Sequence, residues 1–152
     1  MNEITFSPAE SADLQPVQQL LLACDLPYQD IAEHLPHFIL ARQDSQLVGV
    51  IGLEVLEQAG LLRSLAVAAP HRGQGLAKTL YHQLVEQARR LHLQHLYLLT
   101  LTAEGFFAKL GFAKIERSDL PPAVQQTEEF RNLCPDTAVC MMREIAHAGP
   151  TI

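Results

Sequence analysis

The chain has 152 residues, 48% of them hydrophobic and 18% charged, which suits one compact core and excludes a disordered chain. Its net charge of −6 speaks against nucleic acid as a main partner, since phosphate binding draws on a basic surface. No run reaches the ~18 apolar residues of a membrane span. The start, MNEITFSPAES, lacks the apolar core of a secretory signal. Cys24, Cys134 and Cys140 form no dense disulfide framework, so a cytoplasmic setting is expected, with no membrane partner.

In chain order, Ile4 to Phe6 is a short strand that Ser7-Pro8 ends. Leu14, Val17, Leu20, Leu21 and Cys24 recur at helical spacing and predict a helix over 12–24, with Ser11 or Asp13 as its cap. Leu26 to Asp30 breaks it, and a short acidic helix follows to Leu35. Three strand-like runs come next: His37 to Arg42, Leu47 to Leu56 and Gly60 to Val67. Asp44-Ser45 and Glu57-Gln58-Ala59-Gly60 mark the turns between them, and such short turns imply antiparallel neighbours. The third run is nearly all apolar, as a central strand covered on both faces would be.

Pro70 to Gly75 is a glycine-rich, basic loop, and Leu76, Leu80, Leu84 and Ala88 put an apolar stripe on the long helix that follows to about Leu91. His95 to Thr100 is another buried strand, reached by a parallel crossover. Ala103 to Leu110 is a short helix ended by Gly111. Strands at Phe112 to Ile115 and Ala138 to Ile145 flank a polar stretch, Ser118 to Asp136, with a helix expected over 127–133. The class is α/β of the mixed, α+β kind: a mixed, mostly antiparallel central sheet with helices on both faces. One domain, 1–146, is expected, with a tail at 147–152.

Chemistry concentrates where the third run ends and the long helix begins. The first amides of a helix lack internal partners and carry the positive end of its dipole, which makes a phosphate site. Gly73 and Gly75 permit the backbone angles of a phosphate-cradling nest and leave room for close approach. Arg72 adds a fixed charge and a fork of donors. A plain strand-to-helix turn would explain two glycines equally well. The whole array Arg72-Gly73-Gln74-Gly75-Leu76-Ala77, following a strand through Leu65-Ala66-Val67 and a turn at Pro70, resembles the acyl-CoA motif of the GNAT N-acetyltransferase superfamily. The stretch from Ala103 to Phe112, closing in Gly111-Phe112, resembles that family's second signature.

The resemblance implies a GNAT acyl-CoA N-acyltransferase fold and direct acetyl transfer from acetyl-CoA to an amine. It places the CoA pyrophosphate on the amides from Arg72 to Ala77, and the pantetheine arm between the strand ends at Val67 and Thr100. An open strand edge is costly unless something pairs with it, which suits such an arm. Phe106 and Phe107 would lie near the thiol. Family members often carry a tyrosine, taken as the acid for the leaving thiolate, four residues before that glycine, where this chain has Phe107. Tyr81, Tyr97 or water is left as the acid, and a thiol that ionises near about pH 8.5 is a fair leaving group unaided. Thr100 stands where asparagine is common.

The attacking amine must lose a proton, and Glu54 is the candidate base, with Glu57 as competitor. A solvated strand-end carboxylate is the plainer explanation of Glu54. Arg63 and Ser64 interrupt the apolar third run. A buried arginine needs a partner: either an acidic group of the acceptor or an internal acid such as Glu54. Regular alternation sends Arg63 and Ser64 to opposite faces, so they meet only if the strand bulges. His92-x-x-His95 has ligand spacing but straddles an element boundary, and no metal is expected.

LPYQD, GLLRSLAV, LYLLTLTA and EEFRNLCPDTAVCM are similar to N-acetyltransferases associated with arsenic resistance. That likeness implies a small amino-acid-like acceptor, including arsenic- or phosphorus-containing analogues. Arg63 and Ser64 would then hold its acidic groups. A non-catalytic acyl-CoA-binding regulator, favoured by Phe107, and a protein N-acetyltransferase are the alternatives. Family members often dimerise, and the last strand offers one edge for a homodimer.

Overall fold

A computed structural model gives the structure and describes residues 3–145. The tail expected at 147–152 lies outside them. Seven strands share one sheet in the order β1-β2-β3-β4-β5-β7-β6, and the chain divides into two compact units, Met1–Glu54 with Arg63–Glu86 and Val55–Leu62 with Gln87–Ile152. The class is the mixed one expected. The β1/β2, β2/β3, β5/β7 and β6/β7 pairs are antiparallel, and β4/β5 is parallel.

In the first unit, β1 (Ile4–Pro8) runs past the expected stop at Phe6, because Pro8 is its last residue on the outermost strand, where a missing N–H breaks no inner ladder. The helix expected over 12–24 is α1 (Leu14–Ala23), entered through a 3-10 turn at Ser11–Asp13. Neither Ser11 nor Asp13 caps α1 by its side chain. Asp13 instead reaches back to accept the Glu10 backbone N–H at 2.8 Å and pairs with Arg42 of β2. That amide first, and Arg42 with it, holds the Asp13 carboxyl below its usual range against the opposing effect of burial.

The acidic stretch is a 3-10 helix, Ile31–His37, so His37 precedes β2 (Ile39–Gln43) rather than opening it. Asp44 and Ser45 both have positive φ (52° and 67°), the hairpin geometry that matches strand twist. In β3 (Gln46–Leu56), a Cβ at Gly52 would lie 2.4 Å from the Phe38 ring, so glycine there makes room for that buried aromatic. Phe38 packs with Val17, Leu21, Ile31, Leu35, Leu40, Val50 and Ala66.

The turn into β4 (Ala59–Val67) is tighter than expected, only Glu57-Gln58, with Glu57 at φ 60°. The long helix is α2 (Leu76–Arg90), whose Leu76, Leu80, Tyr81, Leu84, Val85 and Ala88 are buried.

In the second unit the start of β4 pairs with β5 (His95–Thr100) from Ala59↔His95 to Leu61↔Tyr97. α3 (Glu104–Lys109) ends at Gly111, φ 97°, the left-handed position expected of it. β6 (Ala113–Ile115) and β7 (Val139–Glu144) follow, with α4 (Pro122–Gln125) between them. The helix expected over 127–133 is a π-type turn, Glu129–Leu133, in which Thr127 Oγ1 accepts the Phe130 N–H at 3.2 Å. Leu61, Leu120, Val124 and Cys140 form the core here. Among the described residues no helix is long and apolar enough to cross a membrane.

Candidate functional site

The end of β4 leads through half-buried Leu65, buried Ala66 and half-buried Val67 to a 3-10 turn, Ala69–His71. Arg72, Gly73, Gln74 and Gly75 are then fully on the surface before α2 starts at buried Leu76 and half-buried Ala77. Gly73 and Gly75 have φ of 77° and 81°, the region that favours glycine. No atom lies within 4 Å of where a Cβ would stand at either position. The Gly75 carbonyl accepts both the N–H and the hydroxyl of Thr79, each at 3.1 Å, and so begins the helix. The Arg72 N–H donates to the Ala69 carbonyl at 3.3 Å, and the turn leads on into a helix start, whose first amides have no partner within the helix.

Arg72 lies back along the strand end. Its Nε donates to the Val67 carbonyl at 3.0 Å and its Nη2 to Cys24 Sγ at 3.4 Å. Cys24, read from the sequence only as a helix residue, thus sits beside this turn.

A second group lies deeper in the same unit. Ser64 has φ 59°, and this left-handed residue breaks the alternation of β4. Arg63 and Ser64 consequently meet, with Arg63 Nε donating to Ser64 Oγ at 3.0 Å. The rest of the guanidinium is held by acids: both Asp30 oxygens at 2.6 Å, in a bidentate fork, and Glu54 Oε1 at 2.6 Å. Of the two partners the sequence left open for Arg63, the internal one is formed. Glu54 is 3% exposed and is no solvated strand-end carboxylate, whereas Glu57 is exposed at its turn.

His34 completes the group, with its Nε2 3.6 Å from Glu54 Oε2. Asp30 and His34 were not singled out in the sequence, where Leu26 to Asp30 reads as a helix break and the stretch to Leu35 as a short acidic helix. The signal available was indirect: a buried arginine carries five N–H donors, more than Glu54 alone can accept. Ligand atoms of Asp30, His34 and Glu54 lie within 4.8 Å of one another, a grouping that would suit a cation. Three of their carboxylate oxygens already accept from Arg63, whose own charge takes the cation's place.

The remaining candidates fall in the second unit, apart from Tyr81 in the first. Thr100 Oγ1 accepts the Ala103 N–H at 2.9 Å and shapes the entry to α3. Phe106 is half-buried and Phe107 buried, their rings edge-on with centroids 5.1 Å apart, and Phe107 also meets Phe112. Phe107 is therefore packed as a core aromatic. Of the two tyrosines, Tyr81 is wholly buried on α2, and burial raises the pKa of Tyr97, so its proton is held more tightly.

The sequence model of the acetyltransferase (GNAT) family matches residues 3–112. The chain belongs to that family. The match takes in Asp30, His34, Glu54, Arg63, the glycine turn and Phe107. A relative described as an amino-acid acetyltransferase of Mycobacterium tuberculosis is 31% identical over 110 residues, covering 70% of this chain and 60% of its own length. The chain thus spans less than two thirds of that relative. Among solved structures, N-acetylglutamate synthase of Neisseria gonorrhoeae, complexed with coenzyme A and N-acetyl-glutamate, superposes with a TM-score of 0.84 at 18% identity. That superposition covers 95% of this chain and 36% of the synthase. A Mycobacterium tuberculosis protein complexed with CoA superposes at 0.79 with 23% identity, over 93% of this chain and 99% of its own. At such identities these likenesses bear on the fold, and the fold is the family's.

Proposed function

We propose that this GNAT-family protein is an acetyl-CoA-dependent N-acetyltransferase that acetylates the amine of a small amino-acid-like molecule by direct transfer, within one catalytic domain spanning 1–146. The observation that carries the reading is the exposed turn from Arg72 to Gly75, with its two left-handed glycines and no side chain in the space beside them. In this reading the pyrophosphate of acetyl-CoA rests on the amides from Arg72 to Ala77. The pantetheine arm follows the end of β4 through Leu65, Ala66 and Val67, and Thr100, Phe106 and Phe107 are the further residues assigned to the cofactor.

Bound acetyl-CoA supplies the activated acetyl group. The chain supplies position and a proton acceptor. Glu54 takes the proton that the acceptor's ammonium loses, and its burial keeps the carboxylate off bulk water. Arg63 and Ser64, the residues assigned to the acceptor, serve it here by fixing Glu54 and Asp30 in place. Holding amine and thioester together lowers the barrier further. With Phe107 in the tyrosine position, the leaving thiolate takes, directly or through water, the second proton that the attacking nitrogen sheds as it becomes the amide.

The amino-acid acetyltransferase among the relatives supports an amino-acid-like acceptor, and arsenic- or phosphorus-containing analogues are the narrower choice. Three cysteines that form no dense framework in the sequence favour a cytoplasmic setting.

The test is CoA-thiol release with L-glutamate, L-glutamine, L-methionine, phosphinothricin and an arsenical amino acid, beside thermal unfolding with acetyl-CoA. At a hundred times its Kd, acetyl-CoA should stabilise the wild type by ~2.7 kcal/mol, and Arg72→Glu should abolish that gain. A cofactor shift without turnover of any amine would favour the acyl-CoA-binding regulator. No shift at all would remove the proposal.

A further inference from the structure

Glu54 is so enclosed that a proton arriving on it must have a way out. Its side chain is 3% exposed, and its Oε1 is occupied by Arg63 Nη1 at 2.6 Å. The other oxygen, Oε2, faces His34 Nε2 at 3.6 Å, one small side-chain rotation or one bridging water from contact. The His34 side chain is 27% exposed, so the imidazole touches Glu54 on one side and solvent on the other. The charged groups around it are Glu54 of β3 and Asp30 of the preceding turn, both hydrogen-bonded to the single charge of Arg63 of β4, with Glu33 and His37 on its own 3-10 stretch.

From this geometry we infer that His34 is the proton-relay residue of the site: it empties Glu54 after each turnover. The inference rests on Glu54 being the base. The step balances as a proton transfer with no other change. The acceptor ammonium gives its proton to the Glu54 carboxylate. Oε2–H then donates that proton to the unprotonated Nε2 of His34. The resulting imidazolium releases a proton to water or buffer, restoring a neutral imidazole beside a carboxylate. Histidine suits this role because a neutral imidazole carries both an acceptor nitrogen and an N–H donor, so it can take a proton on one side and give one on the other. His34 does not touch the reacting atoms. It acts through Glu54.

The experiment compares wild type, His34→Ala, His34→Gln and Glu54→Gln at saturating acetyl-CoA, using whichever amine of the panel above releases most CoA. In dilute buffer both His34 variants should lose on the order of a hundredfold in kcat, the low end of what general acid–base steps contribute, with the KM for acetyl-CoA unchanged. Added imidazole should restore most of that loss in His34→Ala and little in His34→Gln, whose side chain still fills the gap. The acid limb of the kcat–pH profile should also move in both.

A merely structural histidine would show neither the rescue nor the moved limb. Unchanged kcat in the His34 variants, loss without rescue, or unfolding of both variants would overturn the relay. If Glu54→Gln alone is inactive, the base assignment survives such a result. If Glu54→Gln keeps wild-type kcat, or if no amine releases CoA, the base reading falls and the relay falls with it.

Discussion

The glycine turn and the Arg63 group lie in the same unit and are built on opposite plans. The turn is open: four exposed residues, two left-handed glycines and empty space around them. The Arg63 group is closed: a guanidinium with no exposed side-chain surface, two carboxylates, a hydroxyl and a histidine at its edge. Amides left unpaired in the turn belong to a helix start, where water satisfies them cheaply until an anion replaces it. Charges in the group cannot wait for a ligand in that way, because burying them unpaired is too costly. A surface that binds is left open, and a buried base is held by its own neighbours.

The contrast is broken most severely at Arg63. Arg63→Ala would leave Asp30 and Glu54 buried beside each other without a counter-charge, at a cost of about 3–5 kcal/mol. At about 2–4 °C per kcal/mol for a chain of this size, the melting midpoint should fall by roughly 10 °C. Calorimetry of the purified variant would show it. A midpoint within a degree or two of wild type would mean the group is not closed. The triple replacement Arg63→Met, Glu54→Leu and Asp30→Leu sharpens the point: it should recover most of the stability and none of the activity.

At the turn the same kind of experiment should give a smaller and different answer. Gly73→Ala meets no neighbour, so its cost is that of a left-handed backbone alone, about 1 kcal/mol and a few degrees in the midpoint. Its larger effect should be on the ligand, because a methyl group enters the space the cofactor needs. The midpoint shift produced by acetyl-CoA should shrink well below that of wild type. An undiminished shift would place the phosphates elsewhere.

A third charged contact, Asp13 with Glu10 N–H and Arg42, lies between the two plans, half-buried and away from both. The Asp13 carboxyl is lowered from 3.8 in the folded state. Its contribution is therefore present above the unfolded value and is lost as pH falls through the folded one. Asp13→Asn should lower the midpoint by a few degrees at neutral pH, for about 1 kcal/mol. Wild type and variant should converge in strong acid. A gap that stays constant from pH 7 downward would show that charge is not what Asp13 contributes.

Much of this protein was legible in one dimension. The order and type of nearly every long element follow from apolar patterning, as in Leu76, Leu80, Leu84 and Ala88 on α2 or the nearly continuous apolar run of β4. The glycine turn was legible for a related reason: it is continuous in the chain, and its backbone angles admit few residues other than glycine. Short elements were read less well. Pro8 is tolerated in β1 only because that strand is outermost, and the stretch after Thr127 winds as a π-type turn whose start is fixed by a threonine hydroxyl.

The closed group was only half visible. Arg63, Ser64 and Glu54 stood out as polar residues in apolar strands, and the need for a bulge followed from alternation. That Asp30 takes the guanidinium fork and that His34 stands behind Glu54 is written nowhere in the order of residues. Those partners come from a turn and a 3-10 helix far along the chain from β4. Tertiary structure decided them, because a buried charge takes the nearest opposite charge in space, and sequence distance sets no limit on which one that is.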